Sequence, residues 1–370
     1  MRKSVLSRLS AGIAIAACLP LASLAQPSSD AAKTQAPKGK YTVLAPRLYS
    51  EQVMPRASSQ SLQTWNGSYS YNGTNYTYNM VGAAPSTNSS VSIPVYIIPV
   101  KIIVGRKGRQ STFDPAHVLS NGNSVTQNTV NSPLFTSSLD YKLGSIDVGT
   151  TQYIDAYQRA NFWGTVSSHT SSHLLLGNPT VLPEQTFTVP SNYGKTGSPF
   201  GFTAGLVDIN WFDAQLPNII AAEGIQPNAL PIFLTYDVYL TQGGSCCIGG
   251  YHSAEGSSIN PQAYAHATYV DHPGDFSQDV SALSHEIGEW ADDPLVADPN
   301  GNQTPCGILE NGDPLENTAN YGDFAYTQNG FTYHLQDLAM LPYFGAPAST
   351  SANGWFSFHN ASLGVCSNGS

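Results

Sequence analysis

The last 175 residues of this chain contain no lysine and no arginine. All 15 basic residues lie at or before Lys195, whereas residues 196–370 hold 18 of the 25 acidic ones. Residues 26–195 have the opposite balance, 12 basic against 7 acidic, so a net +5 precedes a net −18. A phosphate backbone is held by lysine and arginine, so the C-terminal half is excluded as a nucleic-acid binder. A carboxylate buried in that half has no local base to pair with. It must find a metal ion, a histidine, hydrogen-bond donors, a proton, or a base from the other half.

Other shortages narrow the chain further. Only 11% of its residues are charged, and there is no internal repeat. After the apolar run from Ala11 to Ala25, no stretch approaches the ~18 uninterrupted apolar residues of a membrane helix. Gly-x-Ser-x-Gly is absent and no Ser-His-Asp arrangement stands out, which argues against a serine hydrolase. Cysteine is scarce, with 5 in 370 residues.

Arg2, Lys3 and Arg8 precede the apolar run, and Ser23-Leu24-Ala25 offers small residues for cleavage, so residues 1–25 read as a secretory signal and the protein as secreted or periplasmic. Ile15-Ala16-Ala17-Cys18 also fits a lipoprotein box, which would leave the chain anchored through Cys18. Residues 26–40 read as a disordered linker. Beyond it, residues 41–195 read as a β-rich region. Tyr71-Asn72-Gly73-Thr74 between alternating aromatic segments marks a hairpin, and Val91–Val104, with Pro94 and Pro99, an edge or bent strand. Tyr153–Val166 has helical spacing. His169 and His173 would share a metal only if helical, and the serines around them favour a loop.

Residues 196–370 read as mixed α and β. Val207–Glu223 is expected to be helical, with Pro217 as a flaw, and Leu230–Thr241 and Gln262–Asp271 to be strands. Next comes Ser284-His285-Glu286-Ile287-Gly288-Glu289-Trp290-Ala291-Asp292-Asp293-Pro294. At 100° per residue Val280, Leu283, Ile287, Trp290 and Ala291 share one side, and His285, Glu286, Glu289, Asp292 and Asp293 the other. His285 and Glu289 are one turn apart, with Glu286 beside them. Asp275 and Ser277 are candidate caps, and Asp293-Pro294 marks the end. Exposed acidic helices normally carry basic partners at i,i+4, and this one has none. The downstream segment Cys306-Gly307-Ile308-Leu309-Glu310-Asn311-Gly312-Asp313 supplies further carboxylates.

These residues resemble the zincin metallopeptidases, in which a helix bearing H-E-x-x-H gives two metal ligands and a carboxylate to the metal's water. Here the second histidine is Glu289. The Cys-Cys-Gly-Gly-Tyr-His and Asn-Ala-Ser-Leu-Gly-Val-Cys segments are also distantly similar to the plant phosphate-induced, exordium-like extracellular proteins. The zincin resemblance implies an α+β fold, with a β-rich N-terminal half and a zincin-like C-terminal half whose antiparallel or mixed sheet adjoins a metal-binding helix. It implies His285, Glu289 and Glu310 as metal ligands, Glu286 as general base, and Zn²⁺ as the ion. Asp293 and Asp313 are placed to orient those ligands, and Tyr321 or His334 to donate to the oxyanion. A peptide substrate would lie along the 262–271 strand.

Several alternatives sit beside this set. His252, His266 and His272 precede the helix and are candidates to replace Glu289 or Glu310. Asp298, Asn300 and Asn302 resemble an oxygen-rich Ca²⁺ loop with a misplaced glycine. Cys246, Cys247, Cys306 and Cys366 suggest two disulfides; because adjacent cysteines rarely bridge, Cys246 and Cys247 are each expected to take one of the other two. Two function classes follow: a secreted metal-dependent peptidase acting on peptides or proteins, or a catalytically silent extracellular binding or scaffold protein with a structural metal or none. Glu286 discriminates them, since a structural ion needs no base beside it.

Overall fold

Two runs of apolar residues decide the architecture. Leu230–Tyr236 is buried at every position but its last, and Pro261–Tyr269 at all nine. Strands buried on both faces belong in the interior of a sheet with covered faces, usually beside parallel partners. In the computed structural model these two strands pair with one another in parallel, Ile232 opposite Ala265 and Tyr236 opposite Tyr269. The structure describes residues 39–49, 60–71, 73–106, 108–143, 146–296, 303–304, 307–308, 323–336, 339–340 and 356–357.

The elements that position the site are β1 (Lys40–Val43), β2 (Arg47–Tyr49), β3 (Thr64–Tyr71), β4 (Thr74–Val81), β5 (Val95–Arg106), α1 (Tyr153–Asn161), β6 (Thr180–Val181), β7 (Gly194–Gly197), β8 (Ala204–Asp208), β9 (Leu230–Tyr236), β10 (Val238–Gln242), β11 (Ser245–Ser257), β12 (Pro261–Tyr269), α2 (Ser281–Asp292) and β13 (Phe331–Gln336). One mixed sheet of 12 strands runs in the order β6-β5-β9-β12-β11-β10-β8-β7, with β1 and β2 added along β11. It curls into a nearly closed barrel, and the described residues are 47% strand and 18% helix.

This overturns the expected zincin-like α+β fold. Strands from before and after residue 195 share a single sheet, because β9 needs parallel neighbours on both sides and takes β5 on one and β12 on the other. Residues 36–370 form one compact unit. Helix α2 lies against β12, β11, β13, α1 and β4, and all 12 of its residues are buried. Among the described residues no helix is long and apolar enough to cross a membrane.

The β3–β4 hairpin forms as expected, Tyr71 opposite Thr74 with Gly73 at φ +80°. The Val91–Val104 segment is bent, as one of the two expected readings has it: Val91–Ile93 pairs Leu174–Leu176 in a separate two-stranded sheet, and from Val95 the segment is interior rather than an edge. It breaks at Pro94, and β5 then pairs β6 and β9 up to Pro99, taking new partners in Gln185–Thr188 and Arg109–Phe113 beyond it. Pro99 has no N–H, so it suits the point where the strand changes neighbours. Val207–Glu223 is not one helix. Strand β8 ends at Asp208, whose carboxylate accepts the Trp211 N–H at 2.9 Å, and two short helices, Ile209–Asp213 and Leu216–Ala222, follow. Pro217 falls in the first turn of the second, where its missing N–H costs nothing.

The Leu230–Thr241 run also divides, at Asp237, into β9 and β10. Asp237 adopts φ +50° and is only 6% exposed. Burial, the largest cause, pushes its carboxyl from the ordinary 3.8 up to about 7. The folded chain therefore keeps a proton that the unfolded chain has released, and stability falls as pH rises from about 4 to about 7. Asp237→Asn keeps a residue that tolerates the left-handed backbone and removes the titration. Thermal melts should show the variant gaining on the wild type across that window, with the gap levelling off above it; a constant gap would count against the assignment.

Candidate metal centre

Helix α2 starts at a built corner. Asp279, at φ +44°, accepts the Val280 N–H at 2.6 Å, while Asp275 accepts the N–H of Ser277 at 2.9 Å. Neither Asp275 nor Ser277 caps the helix: its N-cap is Val280, with no side-chain cap hydrogen bond. The helix ends where expected, at Asp293 before Pro294. Val280, Leu283, Ile287, Trp290 and Ala291 join the main core. The opposite side is buried too: His285 and Glu289 are 1% exposed, and Glu286 and Asp292 are fully buried. A solvated acidic face is excluded.

The residue these carboxylates meet comes from the sheet. His252, on β11, is fully buried. Its Nδ1 lies 3.3 Å from Glu286 Oε2 and 3.9 Å from Glu289 Oε2, and its Nε2 lies 3.2 Å from the Asp293 carbonyl. A carbonyl only accepts, so Nε2 carries a proton. Burial is the largest influence on this imidazole and lowers its pKa despite the field of Glu289, which favours the neutral ring with Nδ1 as a lone pair. A lone pair and two carboxylates then converge, with donor atoms within 4.8 Å of one another. Such a set could hold a cation; without one the carboxylates need a proton or hydrogen-bond donors. Ligands ~2.0–2.2 Å from a common ion stand roughly 3–3.5 Å apart, so His252, Glu286 and Glu289 suit a divalent metal with little adjustment. One neutral ring and two carboxylates also balance a +2 charge.

One backbone detail and one side chain make this approach possible. A Cβ on Gly250 would lie 2.6 Å from Glu286 Oε1 and 2.8 Å from its Cγ, so only glycine lets Glu286 seat against β11. Glu289 reaches both ways, with Oε2 toward His252 and Oε1 3.0 Å from His285 Nε2.

The structure therefore brings together Glu286, Glu289 and His252, with His285 joined through Glu289. His334 is placed elsewhere. Its Nδ1 lies 2.6 Å from Asp279 Oδ2 and its N–H donates to Asp279 Oδ1 at 2.8 Å, which pins β13 to the start of α2. The remaining expected site residues, Glu310, Asp313, Tyr321, Asp298, Asn300, Asn302, Cys18, Cys306 and Cys366, lie outside the described residues. His266 is a core histidine, 3.1 Å from Thr235 Oγ1, and burial lowers its pKa to about 3. His272 stacks on Phe202 at 3.7 Å. His169 and His173 do not converge: the first contacts the Thr165 carbonyl at 2.8 Å and the second Asp155 at 2.8 Å.

Two expectations need correction here. Cys246 and Cys247 are bonded to each other rather than to distant partners; the peptide between them is cis, and their Cα atoms are 3.1 Å apart. Nor can β12, residues 261–269, receive a substrate along its edge, since β9 occupies one side and β11 the other.

No family model matches this chain, and neither curated proteins nor solved structures show a match.

Proposed function

We propose that this chain is a metal-dependent hydrolase of peptide bonds whose ion lies between His252, Glu286 and Glu289. The observation that carries the reading is the buried His252 ring facing two buried carboxylates in a half-chain without lysine or arginine. A divalent ion held there would lower the pKa of water and polarise a carbonyl. Zn²⁺ is the ion of choice for a neutral His-Glu-Glu set, and the carboxylate-rich donors also accept a harder metal. Glu289, shared between His252 and His285, is the fixed ligand. Glu286 would hold the ion through one carboxylate oxygen and, with the other, take a proton from water and return it to the leaving amine. The amino-terminal segment supports action outside the cytoplasm on peptide or protein substrates.

A second reading is favoured by burial. The three donors are at most 1% exposed, and closed ligand sets are typical of structural metal sites. The experiment compares wild type and Glu286→Gln, both with metal restored, on a mixed peptide library. The amide keeps the shape but removes the base, so turnover should fall by about 10²–10⁴. Equal cleavage by the two proteins, with ion bound to both, would assign the site to structure alone.

A further inference from the structure

Strand β11 carries His252, and its two edges are filled differently. One edge pairs with β12 from Gly250 to Gly256. The other pairs with β10 only as far as Ile248. From there onward it is covered by the chain's own residues 40–49: Thr42 stands opposite Tyr251 and Val43 opposite His252, then Arg47 opposite Glu255 and Leu48 opposite Gly256. Among the described residues, no strand pairs with the outer side of β1 or β2. The two strands are 4 and 3 residues long, and they break at Leu44-Ala45-Pro46, where Ala45 is exposed. Between them the hold is a Leu44 N–H to the His252 carbonyl at 3.5 Å and the Ser253 hydroxyl to the Leu44 carbonyl at 2.8 Å.

One side chain of this strap has a pocket made for it. The Asp213 carboxylate accepts the Tyr251 hydroxyl at 2.9 Å and the Tyr264 hydroxyl at 2.7 Å, and all three residues are at most 2% exposed. Arg47 enters from β2 and pairs with the same carboxylate. Its second nitrogen donates to the Asp213 carbonyl at 3.2 Å and to the Tyr264 hydroxyl at 3.4 Å. No residue after Lys195 can supply such a cation. Residues 26–49, with 4 basic residues against one acidic, can.

We infer that the β11 edge beside His252 is a binding site for an extended peptide bearing an arginine, that Asp213, Tyr251 and Tyr264 form its guanidinium pocket, and that residues 40–49 fill the site in cis as an internal competitor. Main-chain pairing supplies sequence-tolerant affinity, as in other strand-addition sites, and the pocket supplies selectivity. That this edge is the substrate edge rests on the peptide-hydrolase reading; that it binds a peptide does not.

The test uses the full chain and a labelled peptide of residues 38–50. Wild type, its edge already filled, should bind poorly, and Arg47→Ala, with its strap loosened, at least about tenfold more tightly. A peptide with alanine in place of its arginine should bind that variant at least about thirtyfold more weakly, as should the native peptide with Arg47→Ala/Asp213→Asn. A folded Arg47→Ala protein that binds no better than wild type, or does not distinguish the two peptides, overturns the inference. If Arg47→Ala does not fold, hydrogen exchange of wild type decides. The amides of residues 40–49 should open well before the β11–β12 ladder, and equal protection of the two would make the strap a permanent strand. Peptide binding by Arg47→Ala, with no turnover of the mixed peptide library by wild type or by that variant, would remove the hydrolase reading and leave this site standing.

Discussion

Replacing His252 by alanine should remove the metal ion and several kcal/mol of stability together. The purified wild type should hold about one divalent ion per chain, and His252→Ala almost none after mild dialysis. The reason is that Nδ1 is the single neutral donor of the set. Without it Glu286 and Glu289 remain buried with their charges turned toward one another, and breaking an interior ionic set of this kind costs roughly 3–5 kcal/mol. Because the ion binds the folded chain, removing it from the wild type should produce a similar loss. The decisive comparison is therefore thermal denaturation with and without chelator. Wild type should be strongly sensitive and His252→Ala indifferent. A wild type that melts at the same temperature in both conditions, with no ion by elemental analysis, would show that a proton rather than a metal holds the cluster together.

How much of this centre the sequence discloses depends on how far apart its parts lie along the chain. His285, Glu286 and Glu289 are legible because one helical turn brings them together, and local periodicity reports that directly. The missing lysines and arginines were the usable sign that the polar face is buried. His252 lies 33 positions before His285, on a strand whose place in the sheet depends on pairing partners 200 residues away, such as Thr42 and Val43. No local pattern contains that information. The sequence offers His252 only as one of three substitute ligands, beside His266 and His272, with the pair Gly249-Gly250 just ahead of it as a sign of close backbone approach.

The same limit explains the strand errors. The pattern of Gln262–Asp271 shows a buried strand but not its neighbours, so its apparent free edge vanished once β9 and β11 took both sides. Pro94 marked the break before β5, and Pro99 the point within it where partners change. They did not show that the strand between and beyond them passes through the middle of the sheet, because each proline sits where a neighbouring strand is exchanged. For Cys246 and Cys247 the general rarity of adjacent bridges outweighed proximity, and here proximity prevailed.

Two glycine-to-alanine substitutions should have opposite effects, and the contrast tests the centre more sharply than either alone. At Gly250 the new methyl would meet Glu286 Oε1 at 2.6 Å, Glu286 Cγ at 2.8 Å and the His266 carbonyl at 3.0 Å. The carbonyl belongs to β12 and is fixed by the sheet, so Glu286 must move. It is fully buried against a packed helix, and overpacking at such a position costs typically about 1–3 kcal/mol. The displaced carboxylate also leaves the His252 side of the cluster, so metal content should fall with stability. At Gly288, on the same helix, a methyl would find only the Tyr157 ring, at 3.6 Å, which is ordinary contact. Alanine there relieves the entropic penalty of glycine within a helix, about 0.8–1 kcal/mol, so Gly288→Ala should melt slightly higher and keep its ion. Melting temperature and metal content of both variants check the pair. A Gly250→Ala protein as stable and as metal-loaded as Gly288→Ala would mean that Glu286 does not seat against β11, and that the ion, if present, is held from another direction.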